Sequence, residues 1–235
     1  MILVGRYLSP FTRRTAIVLK TLNIDFEVKT LPATPENAEL VAINPLGRVP
    51  AVVLDDGEVL IDSAAIIDHL LEVGDPDNTL LAAGGADRRA VMRLVGVAQG
   101  TMEKTVGVVY EQNKRPEGSH HQPWLDQMRV QASAGFDYLE KAATGRDWLH
   151  GDGLTLADVN AVAAYDFAGY LPLCQDLVAG GKYPALAELS ARCNALPAFA
   201  ETVLFCGFTN RLDVGRSQWP HLLFHGHFIT LLVKQ

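Results

Sequence analysis

The segment NPLGRVPAVVLDDGEVLIDS, residues 44–63, limits the possible folds of this chain more than any other part of the sequence. Its apolar run Ala51–Leu54 predicts a strand, and the turn residues DDG that follow predict a reversal of the chain. The run Glu58–Ile61 then predicts a second strand. The polar pair Asp62-Ser63 is typical of a helix start, so the hairpin leads directly into a helix that ends near Leu71.

The residues before this segment predict the rest of a small sheet with helices. Ser9 is a favourable N-cap, and Pro10 suits the first helical position because proline has no N–H to leave unsatisfied there. The predicted elements, in chain order, are strand Ile2–Val4, a helix from Pro10 to about Asn23, strand Phe26–Val28 and helix Asn37–Ile43. With the hairpin and its helix, residues 1–75 therefore have the predicted order β-α-β-α-β-β-α.

The second half of the chain is predicted to be helical. Turn residues in 76–85 predict a linker, and residues 86–210 predict an all-helical domain. Its predicted helices are Ala86–Lys114, His121–Ala143, Leu156–Leu171, Pro184–Leu196 and a short piece from Pro197. Gly96, Gly100 and Gly107 interrupt the first helix, which predicts a kink or a close helix contact. The tail, residues 211–235, is apolar without clear amphipathic order, and no role is predicted for it.

Composition and charge exclude several classes of function. The chain has 235 residues, 49% of them hydrophobic, and a net charge of −7 without a basic block, so nucleic acid is not an expected partner. No stretch reaches the ~20 apolar residues that span a bilayer, so no membrane is expected. Cys174, Cys193 and Cys206 are widely spaced, which predicts buried thiols in a reducing compartment. We therefore expect a cytoplasmic protein.

The motifs of the first domain carry a family resemblance. SPFTRR at residues 9–14, NPLGRVPAV at 44–52 and the pair Asp62-Ser63 resemble the glutathione-binding domain of the glutathione S-transferase family. The resemblance covers roughly residues 1–207. It implies an α+β thioredoxin-like amino-terminal domain followed by an all-α domain, with the cleft between them, and a homodimer. It also implies glutathione as co-substrate and a small hydrophobic electrophile as its partner.

Ser9 is the catalytic residue that this resemblance implies. A hydroxyl at the positive end of a helix can donate a hydrogen bond to a thiolate, whose negative charge the helix dipole favours. A free thiol with a pKa of about 8.5 is only about 3% ionised at pH 7, and lowering that pKa by about two units, or ~2.7 kcal/mol, would make most of it thiolate. A plain N-cap is the alternative role for Ser9, and Tyr7 is the alternative donor.

The same resemblance implies six glutathione-binding residues, which are Phe11, Arg48, Val49, Pro50, Asp62 and Ser63. A cis bond between Val49 and Pro50 would turn the Val49 N–H and C=O outward, where an extended tripeptide can pair with them. At the next helix start, backbone N–H groups and the Ser63 hydroxyl would bind the γ-glutamyl carboxylate, and Asp62 would bind its ammonium. The structural alternatives are an edge-strand proline, a plain capping pair and, for Arg48, a solvated side chain.

The sequence departs from the family pattern in one loop. Pro35-Glu36-Asn37 places an acid where relatives often carry a cation for the glycyl carboxylate, so that end of glutathione has no predicted partner. On the first long helix, Met102, Val106 and Tyr110 are candidates for an electrophile pocket, with core packing as the alternative.

Two further features are predicted to be structural. Thr155 and Asp158 form a capping box before an apolar run, so Asp158 is expected to stabilise its helix. His120, His121, His225 and His227 lack the Cys, Asp or Glu partners that complete a ligand set, so no metal is expected.

The resemblance therefore predicts a glutathione transferase. An isomerase, dehalogenase or peroxidase that uses glutathione on the same fold is one alternative. A non-catalytic binding or regulatory protein is the other, and the acidic loop at Glu36 favours it somewhat.

Overall fold

The computed structural model describes residues 1–116 and 118–204 of the chain. Its strands are β1 (Ile2–Val4), β2 (Glu27–Lys29), β3 (Ala51–Val53) and β4 (Val59–Ile61). Its helices are α1 (Pro10–Thr21), α2 (Ala38–Ile43), α3 (Ser63–Gly74), α4 (Gly85–Lys114), α5 (Gln122–Ala143), α6 (Leu156–Tyr170), α7 (Pro184–Asn194) and α8 (Pro197–Ala200), with a 3₁₀ turn at Gln175–Leu177. The predicted tail 211–235, Cys206, His225 and His227 lie outside the described residues.

The four strands form one mixed sheet in the order β2-β1-β3-β4. β1 pairs in parallel with β2 and antiparallel with β3, and β3 pairs antiparallel with β4. Leu3 lies opposite Val52, which lies opposite Leu60, so one row of apolar side chains crosses the sheet. Because β3 lies between β1 and β4, both of its edges are paired. The residues that precede β3, Val49 and Pro50, lie beyond its N-terminal end.

Helices cover both faces of this sheet. Leu3 and Val52 are fully buried on the face that packs against α1 and α3. Val4 and Ala51 point to the opposite face, because side chains alternate along a strand, and they pack with Leu40 of α2. The result is a small three-layer domain in which the N-terminal ends of α1, α3 and β3 lie close together.

The two longest helices, α4 and α5, form the centre of the helical domain, and glycines allow them to approach closely. A Cβ added to Gly107 of α4 would lie 2.6 Å from the sulfur of Met128. A Cβ added to Gly135 of α5 would lie 1.9 Å from the Thr101 hydroxyl. The close contact predicted for the glycines of this helix is thus found at Gly107, whereas Gly96 and Gly100 have open space beside them.

The capping box of α6 forms as predicted from Thr155 and Asp158. The Asp158 carboxylate accepts hydrogen bonds from the Thr155 backbone N–H at 2.8 Å and from its hydroxyl at 2.7 Å. Its other oxygen accepts from the Leu149 backbone N–H at 2.8 Å. Burial raises the pKa of Asp158, although these hydrogen bonds oppose the rise. Asp158 therefore ties the loop before α6 to the helix start.

Element boundaries differ from the sequence predictions by one to three residues. α3 continues to Gly74 rather than ending near Leu71, and α7 ends at Asn194 rather than Leu196. β2 lies one residue further along the chain than predicted, at Glu27–Lys29. Such shifts are expected, because helix ends fray and their last turn is often irregular.

Candidate functional site

A cleft of about 460 Å³ opens where three loop ends of the first domain face α4. Its first wall comes from the sheet domain and consists of Phe11, Asn44, Leu46, Arg48, Val49, Pro50, Ile61, Asp62 and Ser63. Its second wall comes from α4 and consists of Gln99, Glu103, Val106, Gly107 and Tyr110. All six residues predicted to bind glutathione therefore lie around one cavity, as do two of the three predicted for an electrophile pocket.

Ser9 occupies the N-cap of α1, beside this cleft but not among its lining residues. Its backbone is extended, and its hydroxyl oxygen accepts a long hydrogen bond of 3.4 Å from the Thr12 N–H. Within residues 1–116 and 118–204 the hydroxyl proton has no acceptor. Ser9 is thus a cap whose O–H can still donate, at the helix end where an anion is favoured.

The bond between Val49 and Pro50 is cis, and it directly precedes β3. Among the described residues, neither the Val49 N–H nor its C=O has a hydrogen-bond partner. The loop that carries Val49 is held by the buried Asn44, whose amide donates to the Arg48 C=O at 2.8 Å and whose oxygen accepts from the Leu46 N–H at 3.0 Å. This free backbone edge can pair with an extended peptide in the manner of an added strand.

The start of α3 presents Asp62 and Ser63 to the same cleft. Asp62 is exposed and has φ 67° and ψ 129°, and its carboxylate caps the helix by accepting from the Ala64 N–H at 2.9 Å. Ser63 is 2% exposed. Helix starts favour anions, while the second oxygen of the Asp62 carboxylate stays available for a cation. A group with both charges, such as the α-amino acid end of a peptide, matches this pair.

Behind Ser63 lies a buried cation that sequence reasoning left without a role. The Arg14 side chain, 1% exposed, donates to the Ser63 hydroxyl from Nε at 3.1 Å and from Nη2 at 2.7 Å. Its remaining N–H groups reach Asn160 of α6 at 2.6 Å and Gln99 of α4 at 3.2 Å. Burial lowers the pKa of Arg14 to about 10, although the charges of Asp62 and Glu103 oppose this. At neutral pH it is therefore a charged guanidinium.

One face of α4 forms the second wall of the cleft. Of the three residues predicted for an electrophile pocket on this helix, one does not line the cleft. Gln99, Glu103, Val106 and Tyr110 line the cleft at intervals of four, three and four residues, which is one face of a helix. Met102, predicted for the electrophile pocket, is instead fully buried in the core. It lies about 100° around the helix from its neighbour Glu103, so it faces inward.

The other residues considered at the sequence level lie outside the cleft, apart from Arg48. Tyr7 is half-buried against the core, and burial raises its pKa, so it stays protonated. Glu36 is exposed on its loop. Arg48 is exposed at the cleft, and within the described residues it has no acidic partner.

Arg14, Gln99 and Glu103 are the site residues that sequence reasoning missed. A signal for Arg14 was present: it precedes Ile17 by three residues, which places the arginine on the apolar face of α1. A charged residue on a buried face needs partners, so its position alone indicated a polar network. For Gln99 and Glu103 the signal was their helical spacing from Val106 and Tyr110.

Other side chains that carry chemistry are buried or unclustered. Burial raises the pKa of the Cys174 and Cys193 thiols to about 12, and both are free. Within residues 1–116 and 118–204 no group of three or more His, Cys, Asp or Glu side chains could hold a metal ion. In that same part of the chain, no helix is long and apolar enough to cross a bilayer.

Comparison with known proteins identifies the family of this chain. The family model for the glutathione S-transferase N-terminal domain matches residues 8–73, and the model for the C-terminal domain matches residues 101–197. The chain belongs to the glutathione S-transferase family. The predicted family and the predicted fold class, a thioredoxin-like domain followed by a helical domain, are thereby confirmed.

Three relatives show how far the similarity to other members of the family extends. An uncharacterized GST-like protein of Escherichia coli, YibF, is 32% identical over 60% of this chain and 68% of its own. A probable maleylacetoacetate isomerase of Caenorhabditis elegans is 31% identical over 79% of this chain and 85% of its own. A glutathione S-transferase from Methylobacterium radiotolerans, solved in complex with glutathione sulfonate, superposes with a TM-score of 0.79 at 27% identity, covering 90% of this chain and 99% of that one.

Proposed function

We propose that this protein is a glutathione transferase that holds glutathione in extended form and activates its thiol for attack on a small hydrophobic electrophile. The observation that carries the proposal is that two complementary groups line one cleft and a third lies beside it. These are the unpaired Val49 backbone, the capped start of α3 and the hydroxyl at the start of α1. Membership of the glutathione S-transferase family supports the identity of the ligand.

In this proposal the tripeptide lies along the cleft in one direction. Its γ-glutamyl end lies at α3, where Ser63 and the helix start take the carboxylate and Asp62 takes the ammonium. Its cysteinyl unit pairs with the Val49 backbone. Its glycyl carboxylate lies toward Arg48, the exposed cation of the first wall. Phe11 and Pro50 pack against the apolar parts of the ligand.

Ser9 acts on the sulfur in this proposal. Its hydroxyl donates to the thiolate, and the positive end of α1 stabilises the charge. The electrophile then binds along α4 against Val106 and the half-exposed ring of Tyr110. We also infer a cytoplasmic homodimer, on the family resemblance alone.

The test compares two serine variants that undergo the same chemical change. Wild-type protein should be retained on immobilised glutathione and should conjugate 1-chloro-2,4-dinitrobenzene. Ser9→Ala should keep the retention but lose about tenfold to a hundredfold in kcat at pH 6.5, because it loses one charge-assisted hydrogen bond to the thiolate. Ser119→Ala, at an exposed serine outside the cleft, should match the wild type.

The same experiment can reject the proposal at two levels. Folded wild-type protein with neither retention nor turnover would favour the non-catalytic alternative. Unchanged activity in Ser9→Ala would remove this serine from the mechanism and leave Tyr7 as the next donor to test.

An isomerase is the second candidate, because the Caenorhabditis elegans relative is named a probable maleylacetoacetate isomerase. Isomerisation returns glutathione at the end of each cycle, whereas conjugation consumes one thiol for each product. Measuring free thiol during turnover of maleylacetoacetate therefore separates the two. Product formation with constant thiol would assign the isomerase activity.

A further inference from the structure

The Ser63 hydroxyl has only one direction in which its proton can point. A serine hydroxyl has one donor and two acceptor positions. Two N–H groups of Arg14 converge on its oxygen, at 3.1 Å and 2.7 Å. A guanidinium has no acceptor, so the Ser63 proton cannot point toward Arg14. No other acceptor for this proton lies among the described residues, and Ser63 lines the cleft.

Arg14 cannot rotate away from Ser63, because its other contacts hold it. Its Nη1 donates to Asn160, which is fully buried and whose own amide donates to the Leu156 C=O at 2.7 Å. The same nitrogen donates to Gln99 on the cleft wall. The Phe11 ring lies 5.7 Å from the guanidinium carbon. Contacts from α1, α4 and α6 thus hold the guanidinium against the hydroxyl at the start of α3.

We propose that Arg14 is a positioning residue that fixes Ser63 as a hydrogen-bond donor, so that the start of α3 selects a ligand end that carries a carboxylate. This inference rests on the proposed function and deepens it. It assigns the preference for a charged γ-glutamyl group to an arginine that does not itself line the cleft. A serine without this partner could equally accept a hydrogen bond, and it would then accept an amide or hydroxyl end as well.

Two ligands isolate this preference. The first is glutathione, and the second is γ-aminobutyryl-cysteinyl-glycine, which lacks only the α-carboxylate of the γ-glutamyl unit. Calorimetry on wild-type protein should show binding of the second ligand weaker by about tenfold to a hundredfold, the range of a hydrogen bond to a charged group. A ratio below threefold overturns the inference, and this measurement needs no variant.

The variants then show whether Arg14 acts through Ser63. Arg14→Met and Ser63→Ala should each reduce the ratio between the two ligands to below about threefold. The double variant should reduce it no further, because both changes remove the same interaction. A structural role for Arg14 would instead give additive losses that affect both ligands equally, and that result also overturns the inference.

Arg13→Met is the matched control. Arg13 is 2% exposed and also joins the two domains, through Asp166 at 2.7 Å and Asn194 at 2.8 Å, but it does not contact Ser63. This variant should melt at a lower temperature and keep the wild-type ratio. A reduced ratio in Arg13→Met would assign the effect to a weakened fold and would overturn the inference. If Arg14→Met does not fold, Arg14→Lys replaces it with the same expected reduction of the ratio, because an ammonium does not reproduce the two fixed N–H groups that a guanidinium directs at Ser63.

Failure of the proposed function gives a different result. Wild-type protein without detectable binding of glutathione rejects the proposed function, and this inference with it. Wild-type protein that binds both ligands equally rejects the inference alone.

Discussion

Asp62 adopts a backbone conformation that few residues other than glycine tolerate. With φ 67° and ψ 129° it costs about 1–2 kcal/mol relative to an ordinary conformation. The helix cap to the Ala64 N–H partly offsets this cost. Backbone strain of this kind concentrates at functional sites, and Asp62 lines the cleft directly before α3 begins.

Substitutions of Asp62 should separate its structural role from its binding role. Asp62→Asn keeps the cap and tolerates positive φ, so the free energy of unfolding should change by less than about 0.5 kcal/mol. Its affinity for glutathione should fall by about tenfold, because an amide does not pair with the ammonium as a carboxylate does. Asp62→Ala loses the cap as well and should be destabilised by about 1–2 kcal/mol.

Urea unfolding and calorimetry measure these two quantities on the same samples. Asp62→Asn protein that binds glutathione as tightly as wild type would assign the ammonium to another group. Glu103 on the opposite wall would then be the candidate.

The contact between α4 and α5 depends on two small residues, one on each helix. Gly135 lies against Thr101, and Gly107 lies against Met128, at distances too short for an added methyl group. Gly96 is on the same helix as Gly107 but is exposed, and a Cβ added there would have nothing within 4 Å. The effect of each glycine on stability therefore depends on whether it lies in the contact between the two helices.

A pair of identical substitutions tests this point. Gly96→Ala should stabilise the protein by about 0.5–1 kcal/mol, because alanine loses less backbone entropy in a helix. Gly135→Ala should destabilise it by about 1–3 kcal/mol, since Thr101 or the helix itself must move. Thermal and urea unfolding measure both effects. Equal effects in the two variants would mean that the helices are less closely packed than the structure shows.

Helix α1 joins the two domains through consecutive arginines. Arg13 donates to Asp166, Asn194 and the Thr202 C=O of the helical domain, and Arg14 reaches α4 and α6. The free thiols of Cys174 and Cys193 lie buried within that helical domain. Folding therefore buries both arginines and both thiols.

The two thiols predict how stability depends on pH above neutrality. Burial raises their pKa from 9.0 to about 12, so they stay protonated in the folded protein when the unfolded chain ionises. Their contribution to stability is complete below pH 9 and is lost as the pH rises toward 12. Between pH 8 and pH 10 the free energy of unfolding should fall by about 1 kcal/mol for each thiol.

Urea unfolding at several pH values measures this slope. The double variant Cys174→Ala, Cys193→Ala is the control, because its slope should lack the contribution of both thiols while Cys206 is retained. Parallel curves for wild type and variant would show that these thiols are not protected in the folded state.

Local sequence was enough to predict the helices and the hairpin, whereas the binding residues of the first wall were predicted from the family resemblance. Two predicted helix starts depend on only a few neighbouring residues. These are Ser9 with Pro10 and Asp62 with Ser63, and α1 and α3 begin there as predicted. The turn at DDG likewise closed the hairpin next to Val49 and Pro50. Short-range capping and turn rules determine these features, so they can be recognised without a structure.

Only the tertiary structure decided which residues complete the site from a distance. Gln99 and Glu103 reach the cleft, and Met102 does not, because the rotation of α4 about its axis is set by packing against α5 and α6. Arg14 became part of the site because Asn160 of a distant helix holds it against Ser63. Helical spacing in the sequence shows which residues share a face of a helix, but only the packing of whole elements decides which face meets the cleft.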